Sequence, residues 1–270
     1  IVAITGVTSD GSASENGTQS ETITITENDS APTVTLSTSA SSINENSGST
    51  LTLTATLSNA TTADVTVSLG TSGTGTEGTD YGTISDITIS AGSTTGTTAF
   101  DPTDDSVYEG NETAIVAITG VSGGSATEDG TQSVTITISE AGESAPTVTL
   151  TTSASSIAEN SGSSLTLTAT LSNATYEDVT VSIGTGSTAT EGSDYATISD
   201  ITISAGATTG TVSFTPTDDS VYEGDETAIV SISGVSGGSA TESGTQSVTI
   251  TINENESTPT VTLTTSATSI

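Results

Sequence analysis

The pentapeptide PTVTL starts at Pro32, Pro146 and Pro259, so the chain returns to it after 146 − 32 = 114 residues and again after 259 − 146 = 113. DDSVYEG starts at Asp104 and Asp218, and IVAITGV at Ile1 and Ile115, at the same spacing of 114. A related stretch, IVSISGV, starts at Ile229. Solenoids stack units of about 20–45 residues; a period this long is that of a whole domain. The expected organisation is therefore the C-terminal part of one repeat (1–30), two complete repeats (31–144 and 145–257) and the first strand of a fourth (258–270). The chain begins without Met, on residues that already read as mid-strand, so it is expected to be a window cut from a longer polypeptide.

Inside a repeat the hydrophobic period is two, because side chains of a strand point alternately to its two faces. TVTLST (33–38), LTLTATL (51–57), DVTVSL (64–69), ITIS (87–90), TTAF (97–100), ETAIVAI (112–118) and SVTITI (133–138) give seven short strands separated by turn-rich stretches. That pattern predicts an all-β chain of tandem immunoglobulin-like antiparallel sandwiches joined by short linkers. The inward face is assigned to Val34, Leu36, Leu51, Leu53, Leu57, Val65, Val67, Ile87, Ile89, Phe100, Val116, Ile118, Val134, Ile136 and Ile138. The last two strands are expected to meet across ENG (15–17), EDG (128–130) and ESG (242–244), since such turns need residues that tolerate positive φ. Helix signals are absent.

The charge is one-sided: 33 Asp and Glu against no Lys, Arg or His, for a formal net charge of −33. Phosphate binding relies on Lys and Arg, so nucleic acid is excluded as a partner. Without His, Cys or Lys only carboxylate pairs could serve as acid and base. No sugar-stacking aromatic cleft accompanies them, and the chain does not read as an enzyme. No run of 18 apolar residues exists to span a membrane. Lacking Cys, the chain does not reveal its redox compartment. Its freedom from Cys, Met, His, Lys and Arg suits a long life outside the cell.

Carboxylates crowd at fixed places in each repeat: NEN (44–46), TEGTDY (76–81), DDSVYEGNE (104–112) and an acid after the closing strand (Glu27, Glu140, Glu254). Loops of one parity gather at one end of a sandwich, so these four are expected to converge on one pole. Two acids about 4 Å apart repel by roughly 4 kcal/mol at an effective dielectric near 20. Either cations from outside offset that repulsion or some acids stay protonated; a merely solvated acidic pole is the competing reading. Calcium takes about six to eight oxygens in irregular geometry, whereas magnesium demands a stricter octahedron. Calcium is therefore the expected ion. Glu77 and Glu191 read as solvated loop acids, Tyr81 and Tyr108 as core or pole-packing residues, and the Gly-rich stretches as turns. N-x-S/T sequons at Asn16, Asn28, Asn59, Asn111, Asn173 and Asn255 decide nothing in so Thr-rich a chain.

An acid-Asn pair near the first strand, G-x-DY before the middle strands, ITISAGxTTGTxxF and DDxVYEGxE together resemble the Calx-beta domain, over essentially the whole chain. The resemblance implies calcium ligation by Glu45, Asp80, Asp104, Asp105, Glu109 and Glu112, with the backbone carbonyl of Val107. In the next repeat the matching positions are Glu159, Asp194, Asp218, Asp219, Val221, Glu223 and Glu226. The exchanger-type domain closes its site with a run of Asp; here SEAGES (139–144) and NENES (253–257) stand instead, and Glu140 and Glu254 are expected to complete the two sites.

The expected role is structural: a calcium-stiffened stalk, adhesin or filament segment outside the cell, as in the large bacterial surface proteins that carry such repeats. Its partners would be neighbouring repeats of the same polypeptide or copies of itself in a filament. A calcium sensor is the alternative. Ice binding, suggested by the many T-x-T triplets, is weaker, because a twisted sheet is a poor flat template.

Overall fold

A computed structural model of the chain describes residues 1–8, 13–26 and 28–267. The first complete repeat runs through β3 (Thr33–Thr38), β4 (Ser42–Asn44), β5 (Leu51–Leu57), β6 (Val65–Gly73), β7 (Ile87–Ile89), β8 (Thr95–Phe100), β9 (Val107–Tyr108), β10 (Glu112–Ser122), β11 (Thr127–Glu128) and β12 (Ser133–Ser139), after β1 (Val2–Ala3) and β2 (Ser20–Glu21). The second follows as β13 (Thr147–Thr152), β14 (Ser156–Ala158), β15 (Leu165–Leu171), β16 (Ala174–Thr175), β17 (Val179–Ser187), β18 (Ile201–Ile203), β19 (Thr209–Phe214), β20 (Glu226–Ser236), β21 (Thr241–Glu242) and β22 (Ser247–Asn253). Helical residues among those described are confined to two 3-10 turns, Glu45–Ser47 and Glu159–Ser161.

Each repeat folds its strands into a five-stranded sheet (β4-β12-β10-β6-β7) facing a four-stranded one (β11-β3-β5-β8), and the second repeat reproduces both orders. The alternation in the sequence is what makes this possible. In β5 the Leu and Ala side chains are buried while the Thr between them are exposed or half-buried. Val, Ile and Leu suit the pleated surface because their branched or bulky chains pack against neighbours across the ladder. Every residue assigned inward is buried except Val134, which is partly buried against the core. Ile43, Ala55, Ala114 and Ala126 join them, and Tyr81 stacks on Phe100 with ring centroids 4.9 Å apart.

Three short strands are added to the expected seven: β9, which pairs with β16 of the second repeat, and β4 and β11, which switch sheets. β3 belongs to the four-stranded sheet, but β4 crosses over to pair in parallel with β12. β11, inside the connection between the last two long strands, crosses the other way to pair in parallel with β3. The EDG turn is therefore no tight hairpin; it lies within a connection that first visits the opposite sheet, although Gly130 has the positive φ (69°) expected of it. Closure at the other edge needs Gly96: a Cβ there would lie 2.5 Å from the Thr88 carbonyl oxygen and 2.8 Å from Ile87 Cγ2, and Gly210 stands in the same position.

At the start, β1 and β2 pair antiparallel with Val2 opposite Glu21 and Ala3 opposite Ser20. That is the register of Val116 with Val134 and Ala117 with Ser133 in the first complete repeat. Residues 258–267, expected to begin a strand, belong to no sheet, and Val261 and Leu263 are exposed; a strand needs a neighbour to take its backbone hydrogen bonds.

Candidate metal centre

The pole of each repeat is assembled from loops that the long strands bring to one end. In the first, Glu45 opens the 3-10 turn after β4, Asp80 ends a tight turn, and Asp104, Asp105 and Glu109 lie between β8 and β10. Glu112 opens β10, and Glu140 follows β12. The turn at Asp80 is fixed by its own side chain: Oδ2 accepts from the Thr76 N–H at 2.5 Å. Asp105 Oδ1 accepts from the Val107 N–H at 2.7 Å, and Glu140 Oε2 accepts from the N–H groups of Glu109 and Gly110, both at 2.9 Å. These bonds set the loop's shape and leave other carboxylate oxygens turned inward.

Two triads result, each with one oxygen per residue and all three within 4.8 Å of one another: Glu45 with Asp104 and Glu143, and Asp80 with Glu109 and Glu112. The second repeat has Asp194 with Glu223 and Glu226, and Glu159 with Glu254 and Glu256. Of the acids singled out from the sequence, Glu45, Asp80, Asp104, Glu109, Glu112, Glu159, Asp194, Glu223, Glu226 and Glu254 fall in triads. Asp105, Glu140, Asp218 and Asp219 do not. Asp105 and Glu140 bear electrostatically on both Glu45 and Glu109, one member of each triad. Asp218 bears likewise on Glu159 and Glu256, and Asp219 donates its N–H to Glu159 Oε1 at 3.2 Å. Val107 lies in β9, whereas Val221 is outside any strand. Glu27 lies outside the described residues.

Two members were not singled out from the sequence, Glu143 and Glu256. The signal was there: each stands three residues before a linker Pro (Pro146, Pro259), as Asp29 does before Pro32. Glu77 and Glu191 also depart from the expectation. They are not solvated loop acids; both are half-buried. Glu77 takes hydrogen bonds from Thr71 Oγ1 (2.7 Å) and the Ile84 N–H (2.9 Å), and Glu191 has the same partners in its repeat.

Crowding without countercharge has the expected electrostatic cost. Burial first, then the neighbouring Glu140, push the Glu45 carboxyl up to about 8. Burial and the Asp80 charge push Glu109 and Glu112 up to about 7, and burial with Asp194 does the same to Glu226. Glu254 goes the other way, to about 2, because the Glu256 and Glu223 N–H groups donate to it. Glu256 rises to about 7, chiefly through its hydrogen bond to Glu254. Glu45, only 8 % exposed, keeps Oε1 buried without any hydrogen-bond partner, and so do Glu140 Oε1, Glu143 Oε2 and Glu256 Oε2. Buried acceptors are normally satisfied, and no Lys, Arg or His exists to satisfy these. Hard oxygen donors in irregular array with unspent lone pairs fit a calcium-type cation.

A family model of the Calx-beta domain matches residues 27–142. Residues 27–142 are a Calx-beta domain. A model of the LapA domain matches residues 144–254, which repeat the strand order and the acidic positions of that Calx-beta domain. Among solved structures, the crystal structure of CBD12 from CALX1.2 is similar at 16 % identity, over 82 % of this chain and 100 % of that one, with a TM-score of 0.35. The calcium binding domain CBD12 of CALX1.1 is similar at 14 % identity over 78 % and 96 %, with a TM-score of 0.34. The apo-form Calx CBD1 domain is similar at 17 % identity over 40 % and 98 %, with a TM-score of 0.35. No match was found among curated protein sequences.

The Calx-beta pole faces the next repeat. Asp80, Glu109 and Glu112 line a cavity of about 470 Å³ together with Thr74, Thr76 and, from the second repeat, Tyr176. Beside it β9 pairs in parallel with β16, Val107 opposite Ala174 and Tyr108 opposite Thr175.

Proposed function

We propose that the chain is a segment of an extracellular structural repeat protein, a stalk, adhesin or filament, whose Calx-beta poles bind calcium and stiffen the joints between repeats. Its units are the repeats 31–144 and 145–257, and its role is binding and mechanical, not catalytic. The observation that carries the reading is where the acids sit: one triad of the first repeat lines the joint cavity together with Tyr176, and the other recruits Glu143 from the linker itself. Calcium held by Glu45, Asp104 and Glu143 would tie the linker to the pole, and calcium held by Asp80, Glu109 and Glu112 would neutralise charge at the interface. Asp105 and Glu140, whose charges reach a member of each triad, would add oxygens to either ion. Among the described residues no helix is long and apolar enough to cross a membrane.

The test is calorimetric titration of the metal-stripped chain with calcium, with elemental analysis of the untreated protein. At least one ion per complete repeat is expected. Asp105→Asn combined with Glu109→Gln should remove most of the binding heat of the first repeat and spare the second. Absence of binding heat and of bound calcium would reduce the poles to solvated acid clusters.

A further inference from the structure

The sequence SVYEG occurs twice, and its two copies differ in environment. In the first repeat Val107 and Tyr108 are half-buried and paired with Ala174–Thr175 of the following repeat. In the second, Val221 and Tyr222 are 56 % and 42 % exposed, and no strand lies beside them among the described residues. The edge is nevertheless shaped in advance. The Val221 N–H donates to Asp219 Oδ1 at 2.6 Å, and the N–H groups of Glu223 and Gly224 donate to Glu254 Oε2 at 2.6 and 2.8 Å, matching the bonds around Val107.

The element that docks is also shaped in advance. In the second repeat it is the turn Asn173–Ala174–Thr175, in which Thr175 Oγ1 donates to the Glu177 carbonyl at 2.6 Å and Thr175 packs where a Cβ on Gly238 would stand. The first repeat carries the same residues at Asn59, Ala60 and Thr61. There Thr61 Oγ1 donates to the Ala63 carbonyl at 2.6 Å, and Thr61 packs in the same way at Gly124. Asn59 and Ala60 are exposed, beside a cavity of about 420 Å³ that Thr61, Pro32 and Gly124 also line.

We infer that Val221–Tyr222 is a docking edge for the Asn-Ala-Thr turn of a repeat that follows Pro259 in the same polypeptide, in the parallel pairing seen between Val107–Tyr108 and Ala174–Thr175. Both surfaces hold their docked geometry where nothing covers them, so joining them requires little reordering. A short linker supplies the turn at an effective concentration of about millimolar, enough for a two-residue bridge that would not hold untethered chains together. The residue after the turn differs between the repeats: Tyr176 lines the cavity at the acid triad of the preceding repeat, whereas the first repeat has Thr62 there. The inference rests on the reading of the chain as one segment of a repeat array.

The test uses cysteine pairs, because the chain has no cysteine of its own. The chain is lengthened by continuing Pro259 into a second copy of residues 147–257. Val221→Cys is combined with Ala174→Cys in the appended copy or, as a control, with Ser163→Cys in that copy. In the original chain Val107→Cys with Ala174→Cys reports the existing joint. Directly opposed ladder positions suit disulfide geometry, so the Val221 pair should cross-link under mild oxidation as fully as the Val107 pair, and at least about tenfold faster than the control, which shares the tether but not the opposed geometry. A Val221 pair no faster than the control, or failure of the Val107 pair, overturns the inference. The cross-link reads the edge and not the ion: cross-linking in a chain that shows no calcium heat would sink the calcium reading and leave the docking edge standing.

Discussion

Glu45 shows at the scale of one residue what the pole costs and what a cation changes. It is 8 % exposed, one oxygen lacks a partner, and its carboxyl is pushed up to about 8. Glutamine resembles the protonated acid without needing to take up a proton, so in chelator Glu45→Gln should match the parent near pH 4.5 and gain on it steadily as pH rises towards 8. At pH 9 in chelator it should raise the melting temperature by about 5 °C, since roughly 1 kcal/mol moves a domain of this size by that much. In excess calcium the order should reverse. A variant less stable than the parent in chelator at pH 9 would contradict the account. Glu109, Glu112, Glu226 and Glu256, all raised to about 7, extend the same logic to pH. Their folded values lie above the ordinary 4.5, so the metal-free fold binds protons that the unfolded chain releases. The stability they contribute is complete below about pH 4.5 and disappears as pH rises to 7–8. Glu254, lowered to about 2, acts oppositely, its share being lost as pH falls from about 4.5 towards 2. Melting scans in chelator should therefore fall from pH 5 to pH 8, while calcium, which needs deprotonated ligands, should flatten or invert that trend. A metal-free midpoint that climbs over this range would be inconsistent with the pole described.

At the scale of the strand, the alternation of Thr with Val, Ile and Leu made the long strands legible, because one face of each is a core face and the period of two leaves no freedom of register. The short strands were not legible. β4 and β11 owe their pairing to partners about 95 residues away in sequence, and three or two residues carry no period to read. The acids were legible as a pole because they recur at a spacing of 114, but their division into triads was not, since it depends on which oxygens the loop's N–H groups have already engaged. Glu143 escaped for a similar reason: it is a linker residue by sequence and a pole residue only through the turn after β12. Gly96 offers an element-scale test. Its missing Cβ lets β8 pass the end of β7, and Gly96→Ala should cost about 2 kcal/mol, the range of overpacking in a closed core. Urea denaturation would read it as a lowered midpoint for the first repeat alone, and an unchanged midpoint would mean the two sheets are not closed at that edge.

At the scale of the whole molecule, the repeats meet through a two-residue bridge, a cavity lined by Tyr176 and three carboxylates, and a linker that begins in one pole and ends at Pro146. Calcium at the pole, as proposed, would hold this joint by neutralising its acids. Tyr176→Thr, which copies the residue at Thr62, should loosen the joint without unfolding either core, because Tyr176 is 51 % exposed and belongs to neither core cluster. Small-angle scattering should register it as a broader distribution of inter-repeat distances at an unchanged melting temperature; a collapse of that temperature would assign Tyr176 to the core instead. The most direct test of the central claim is differential scanning calorimetry of the chain with calcium and with a chelator, at one pH near neutrality. An ion that binds only the folded state stabilises it by about 2.7 kcal/mol at a hundred times its dissociation constant. The account predicts a melting transition higher by several degrees in calcium, and loss of that difference for the first repeat in the Asp105→Asn, Glu109→Gln chain. Superimposable transitions in calcium and in chelator would contradict it.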